Sequence, residues 1–254
     1  MIEIIREYGT AILASIGITL LLAVVGTIGG AIVSLVLVDM RTQKVDKRRD
    51  HVFVKIVKTI AKWFSTAYIT VFRGTPMIIQ AYVLFYGLSP VFRSELWTPL
   101  LAGLIIVTLN TAAYIAEVIR GNVNSLDIGQ MEAARSLGFS RRQALTKFIY
   151  PQAIKNALPS IGNEFIVNLK DTAVLSVIGV ADLFFTTRQI FGKTYDVINT
   201  FMLAAIIYLI MTSLTSLLVN RLEKRGKGVK RNAWNFKNWK LKKKFWWKYH
   251  SKRY

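Results

Sequence analysis

Cysteine is absent from the 254 residues, so neither a disulfide framework nor a cysteine-ligated zinc site can form. Histidine is nearly absent: His51 and His250 are too few and too far apart in the chain to make a metal or catalytic cluster. Acidic residues are scarce as well, 14 against 34 Lys and Arg, for a formal net charge of +20. Charge of either sign is missing altogether from Ala11 to Val38, from Leu96 to Ala116 and from Val197 to Asn220, each run at least 21 residues long. Runs of that length cross a bilayer, which argues against a soluble enzyme and confines disorder to the chain ends.

Met1 to Thr10 carries Glu3, Arg6 and Glu7 ahead of the first run, unlike the basic start and short core of a signal peptide, so this run is expected to be a retained membrane helix. Phe53 to Leu88, as one continuous helix, would be roughly 54 Å long against a hydrocarbon core of about 30 Å. Arg73, Gly74 and Pro76 interrupt it. The expected arrangement is an amphipathic stretch from Phe53 to about Val71, followed by a span from about Phe72 to Leu88. A fourth, polar-studded span is expected from about Asn156 to Val180, giving five in all.

Basic residues orient the spans. Asp39 to Lys62 holds eight, Arg120 to Lys155 six, and Arg221 onward fourteen; the intervening loops hold only Arg93, Arg188 and Lys193. The N-terminus is therefore expected outside and the C-terminus in the cytoplasm. From Arg221 onward there is one acid, Glu223, so this tail supplies +13 of the +20, interleaved with Trp234, Trp239, Trp246 and Trp247. Such a composition suits the headgroup layer of an anionic leaflet; it is also that of a solvated disordered tail or a nucleic-acid-binding segment, and of the three lipid is the expected contact, with no nucleic acid as partner.

The loop between the third and fourth spans reads as two short helices. The first begins near Ser125 or Asp127 and ends at Gly138, a residue suited to the left-handed conformation; the second is capped by Ser140 with Gln143 and ends near Pro151. Ala133 and Ala134 form a small face for close approach of another backbone, with Leu137 and Phe139 as apolar knobs beside it. Glu132-Ala133-Ala134, three residues, Gly138, then about a dozen residues to a proline resembles the cytoplasmic loop of binding-protein-dependent ABC importer permeases. That family's Ile-x-Leu-Pro is here Phe148-Ile149-Tyr150-Pro151, a departure at two positions that keeps apolar bulk. Phe72 to Pro76, Ala113 to Gly121 and Leu169 to Thr172 look like the polar amino acid branch, and the resemblance covers about Ser15 to Glu223.

The resemblance implies an all-α membrane protein of type I ABC importer permease architecture: a permease domain over residues 1–225, a coupling loop over about 122–151, and a basic aromatic tail over 226–254. It implies ATPase coupling through Gly129, Glu132, Ala133, Ala134, Leu137, Gly138 and Phe139. It also implies ATPase subunits that hold the ATP and Mg, with no cofactor in this chain, an extracytoplasmic amino-acid-binding protein or domain, and a second copy or homologous permease. Covalent chemistry is not expected of the chain.

Read from the residues, Glu164, Asn168 and Asp171 or Thr172 recur at steps of three and four, a polar stripe at membrane depth, where an ionisable group costs on the order of 3 kcal/mol. Arg73 could pair a substrate carboxylate, and Glu164 or Asp171 its ammonium. Alternatively Arg73, Lys170 and Asp171 pair within the protein or at a subunit interface. Gly26 and Gly30 form a small-xxx-small pair suited to close helix packing. Gly192-Lys193-Thr194 resembles the end of a phosphate-binding loop, but Thr187 stands where its first glycine belongs. The competing functional readings are an ion-coupled secondary transporter, a permease for another small solute, and a scaffold acting through the tail.

Overall fold

A computed structural model describes residues 1–43, 45, 50–91 and 96–231, the side chains of residues 222–231 excepted. Its elements are α1 (Ile2–Thr42), α2 (Val52–Gly74), α3 (Met77–Leu88), α4 (Pro99–Ser125), α5 (Ile128–Ser136), α6 (Arg141–Ala144), a π-turn (Leu145–Ile149), α7 (Tyr150–Asp171), a 3-10 segment (Thr172–Ile178), α8 (Leu183–Thr194) and α9 (Val197–Arg231). No strand occurs among the described residues. In hydrocarbon no water is available to backbone N–H and C=O groups, and a helix satisfies them within its own segment.

Among the described residues, three helices are long and apolar enough to cross a bilayer: α1, α4, and α9 up to Arg221. The other two expected spans are assembled from pieces. The break expected at Phe72 falls instead at Thr75 and Pro76, so Arg73 and Gly74 complete α2, and α3 has only 12 residues. Pro76 lacks an N–H, and the residue before a proline is pushed out of the helical region; Thr75 is extended, with ψ at 145°. The break is stapled from both sides. Gln80 Nε2 donates to the carbonyls of Phe72 and Thr75 at 2.9 Å, and Asn110 Nδ2 of α4 donates to Gln80 Oε1 at 2.9 Å.

The fourth expected span is α7 plus the 3-10 segment. It ends at Gly179, whose φ of +88° only glycine adopts without strain, and the chain then bends by 56° into α8. Nor does the loop's second helix stop near Pro151: α6 runs through the π-turn into α7 without a gap. The Tyr150 N–H reaches back five residues to the Leu145 carbonyl, and this register change places Pro151 in the first turn of α7, where its missing N–H leaves no bond unmade.

The longest interface joins α1 and α4. A Cβ on Gly26 would lie 2.2 Å from Cγ1 of Val107, one on Gly29 2.9 Å from Cγ2 of Thr108, and one on Gly30 2.9 Å from Cβ of Thr111. Helical spacing turns Gly26, Gly29 and Gly30 to one face, so the expectation of close packing at Gly26 and Gly30 holds and extends to Gly29. Two apolar clusters lie along this seam. One gathers Leu22, Ile106, Val107 and Leu175, the other Leu37, Ile69, Ala112 and Ile115. Two buried hydroxyls in α1 bond back within their own helix, Ser15 to the Ile12 carbonyl at 2.7 Å and Ser34 to that of Ala31 at 2.6 Å.

Gly26→Leu is expected to cost about 1–3 kcal/mol through overpacking against Val107. It should lower the thermal unfolding midpoint in detergent, whereas Gly17→Leu, at a glycine with nothing within 4 Å of its Cβ position, should leave that midpoint unchanged.

Candidate functional site

The loop between α4 and α7 is organised by its caps. Asp127 caps α5 by accepting the Gly129 N–H at 2.8 Å. At the other end Gly138 takes a φ of +85°, with its N–H bonded to the Arg135 carbonyl at 3.0 Å and that of Phe139 to Ala134 at 3.2 Å. This paired closure is a Schellman motif, and it needs the left-handed residue that Gly138 supplies. Ser140 and Gln143 form the expected capping box on α6. Gln152 Nε2 then donates to Gln130 Oε1 at 2.7 Å, tying α7 to α5.

These constraints decide which loop residues face outward. Glu132, Ala133 and Leu137 are exposed, Leu137 at 77%, and Gly129 is half-buried beside them. Ala134, expected on the same small face as Ala133, is buried at 5% and serves the packing of α5. Phe139 is half-buried rather than a free knob: it meets Phe148 edge to face at 5.1 Å, under the ammonium of Lys147. The second outward knob is Ile128, 73% exposed and not expected from the sequence. It was legible as the first apolar residue after the Asp127 cap.

The polar residues of α7 divide by helical phase. A step of seven residues returns within about 20° of the start, while a step of four advances about 40°, so Glu164 shares one line with Asp171, and Asn168 with Thr172 lies turned aside. Asn168 and Thr172 are buried at 5% and 0%. Asn168 Nδ2 donates to the hydroxyls of Thr27 and Thr111, both at 3.0 Å, and so joins α1, α4 and α7. Glu164 is half-buried and Asp171 exposed. Glu164 lies in the field of both Asp171 and Arg73, so three of the expected pathway residues share one electrostatic neighbourhood.

Arg73 also belongs to a cluster that was not anticipated. Glu117 of α4 accepts from Arg41 Nη1 at 2.7 Å and Arg120 Nε at 3.0 Å, while Arg73 Nη1 stands 4.0 Å from its other oxygen. The Arg73 guanidinium also lies over the Tyr114 ring at 5.5 Å. One carboxylate thus ties the end of α1, the end of α2 and a turn of α4, all half-buried or at its edge. The signal was present: Glu117 is the one acid between Leu96 and Ser125, with an arginine three residues on. What could not be read was that Arg41 and Arg73 converge on it.

Glu117→Ala should leave three guanidinium groups facing one another without a counter-charge. The sites are partly exposed, so the expected loss is about 2 kcal/mol rather than the larger cost of a fully buried pair. Thermal unfolding in detergent checks this, and Arg73→Ala should cost less, since its nitrogen is farthest from the carboxylate.

Comparison with known proteins agrees with this architecture. Residues 55–227 match the family described as binding-protein-dependent transport system inner membrane component. The nopaline transport system permease protein NocM of Agrobacterium fabrum is 34% identical over 227 residues, which cover 86% of this chain and 88% of that protein. The glutamine transport system permease protein GlnP of Escherichia coli is 32% identical over 209 residues, covering 82% and 90%. A crystal structure of an amino acid ABC transporter with histidines superposes with a TM-score of 0.74 at 34% identity, covering 87% of this chain and 96% of that one. The MetNI methionine ABC transporter in an inward-facing conformation shares the fold, with a TM-score of 0.70 at 18% identity, covering 86% and 97%. These relatives are transport components rather than enzymes, and the chain belongs to the family of binding-protein-dependent transport system inner membrane components.

Proposed function

We propose that this chain is the membrane subunit through which an ATP-driven importer passes polar or charged amino acids. In this reading a substrate-binding protein or domain delivers the solute from outside. Separate ATPase subunits hold the ATP and Mg, and a second copy or a homologous permease completes the pathway. The observation that carries it is the cap-defined corner of α5 and α6, which presents Ile128, Glu132, Ala133 and Leu137 between two membrane helices, in a chain whose relatives are amino acid permeases. An ion-coupled secondary transporter would have no use for such a corner.

In mechanism, α5 enters a groove of the ATPase with Ala133 allowing close approach, Leu137 and Ile128 filling apolar hollows, and Glu132 meeting a basic or N–H-rich surface. Gly129 and Gly138 set the ends of the docking helix; Ala134 and Phe139 hold it to the protein. Closure of the ATPase dimer moves the corner. Because Gln152 ties it to α7, the displacement passes along the helix that carries Glu164, Asn168, Asp171 and Thr172. Glu164 and Asp171 offer negative charge to an ammonium group, and Arg73 offers positive charge to a carboxylate, while Asn168 holds the helix that presents them and Thr172 is buried beside it. The cluster at Glu117 latches α1, α2 and α4 in one arrangement, and release of Arg73 from it would free that guanidinium.

The sidedness follows the positive residues, with the N-terminus outside and α5 and α6 in the cytoplasm. Five crossings result if residues 65–88 of α2 and α3 count as one and α7 with its 3-10 segment as another. Residues 1–225 then form the permease domain, with the coupling loop at about 122–151. The basic tail 226–254, including Trp234, Trp239, Trp246 and Trp247, lies beyond the described residues from 232 onward, and we assign it to anionic lipid.

Glu132→Arg and Ala133→Trp should release a co-expressed ATPase on purification and abolish ATP-driven uptake while leaving thermal stability near wild type. Retention of the ATPase by both variants would remove the docking assignment. Gly138→Ala adds a Cβ at positive φ with open space around it, so it should cost about 1 kcal/mol of strain and weaken, not abolish, ATPase retention. Deleting the residues after Arg225 should spare most uptake, measured in the same vesicles; complete loss would favour the scaffold reading.

A further inference from the structure

The first turns of α2 do not join the helical bundle. From Ser65 onward the helix is packed: the Ser65 hydroxyl donates to the Leu37 carbonyl of α1 at 2.8 Å, Tyr68 donates to the Leu109 carbonyl of α4 at 2.7 Å, and Ile69 is buried. Before Ser65 no residue of the helix is buried. Phe53 is 76% exposed, Ile60 60% and Trp63 71%.

This arm is sorted by face. At about 100° per residue, Phe53, Val57, Ile60 and Phe64 fall on one narrow strip with Ile56 and Trp63 at its edge, and Lys55, Lys58 and Lys62 fall on the opposite side. The strip continues along α2 to Val71, 56% exposed on the flank turned away from Ser65 and Ile69. No acid occurs from Val52 to Phe72. An apolar face rich in aromatic residues, on a helix whose own charged residues are all lysines, is the composition of a helix that lies at a lipid surface, and that net positive face complements anionic headgroups.

We propose that residues 52–64 of α2 are a lipid-docking arm. Its strip of Phe53, Val57, Ile60 and Phe64 is seated in the upper acyl chains of the cytoplasmic leaflet, and the net positive face that carries Lys55, Lys58 and Lys62 lies at the level of the anionic headgroups. Lys58 already bonds Asp50 at 2.8 and 2.9 Å, which holds the segment before the helix against its polar face. The arm would anchor the base of α2, the helix whose far end carries Arg73. This depends on the sidedness stated above only for the leaflet's name, and neither an ATPase nor an amino acid is needed to test it.

The absence of cysteine allows single-cysteine variants without background labelling. The full chain is reconstituted in vesicles of phosphatidylcholine alone or mixed with phosphatidylglycerol, with a nitroxide placed in turn at positions 53, 57, 60 and 64 and at 55 and 62. We expect collision with lipid-soluble oxygen to exceed collision with an aqueous nickel reagent several-fold at the first four positions, and the reverse at the last two. Phosphatidylglycerol should draw the apolar-face labels deeper, and the triple variant Lys55→Gln, Lys58→Gln, Lys62→Gln should lose that shift. Labels at 53, 57 and 60 that meet the nickel reagent freely would place the arm in water. Labels there shielded from both reagents would show a protein cover, a second copy included. An unchanged depth on adding phosphatidylglycerol would remove the headgroup contact. Each of these three results overturns the proposal, and none bears on ATP-driven transport.

Discussion

The close crossing of α1 and α4 is the contact on which the other helices depend. Two helices in a bilayer gain little from burying apolar surface against each other, because lipid is as apolar as leucine, so their attraction rests on how nearly their backbones can approach. Gly26, Gly29 and Gly30 remove three side chains from the seam, and Val107, Thr108 and Thr111 fill the space. With α4 fixed in this way, α2, α3 and α7 each pack on it. Asn168 can then reach Thr27 and Thr111 at once, a bond set that exists only where α1 and α4 are this close.

Three sets of polar groups in the interior are matched across helices rather than left to lipid. Gln80 closes the break at Pro76 with Asn110, and Asn168 bridges three helices. Glu117 gathers Arg41, Arg73 and Arg120. The helical breaks are where the chain changes direction or offers backbone, and each has a local cause in Pro76, in the π-turn ahead of Pro151, or in Gly179. Charge inside such a protein is costly; at Glu117 three guanidinium groups meet one carboxylate, and one of them, Arg73, also lies in the field of Glu164. A pathway for a zwitterion needs both signs within reach.

Much of this was legible in the residues. Three spans, the Gly26 and Gly30 pair for close packing, the Ser140 and Gln143 box and the left-handed Gly138 are consequences of composition or of one local conformation. What could not be read depended on neighbours. The stripe of Glu164, Asn168 and Asp171 looked uniform because four-step and seven-step spacings differ by only about 60° in phase, and only the position of α1 and α4 shows that Asn168 points inward. Ala134 and Ala133 are identical in type, and their different burial reflects the curl of α5 against α6. Pro151 signalled the end of a helix, yet one residue of π register was enough to carry the chain through.

In the proposed function, the corner of α5 and α6 converts ATP hydrolysis elsewhere into movement of α7 here. Vesicles containing this chain, its candidate ATPase, its partner permease if one exists and a candidate binding protein, with ATP inside or outside and no ion gradient, test it directly. Uptake of an amino acid that requires all components and ATP on the side of α5 is the expected result. Uptake by this chain without ATPase, driven by a proton or sodium gradient, would contradict the account.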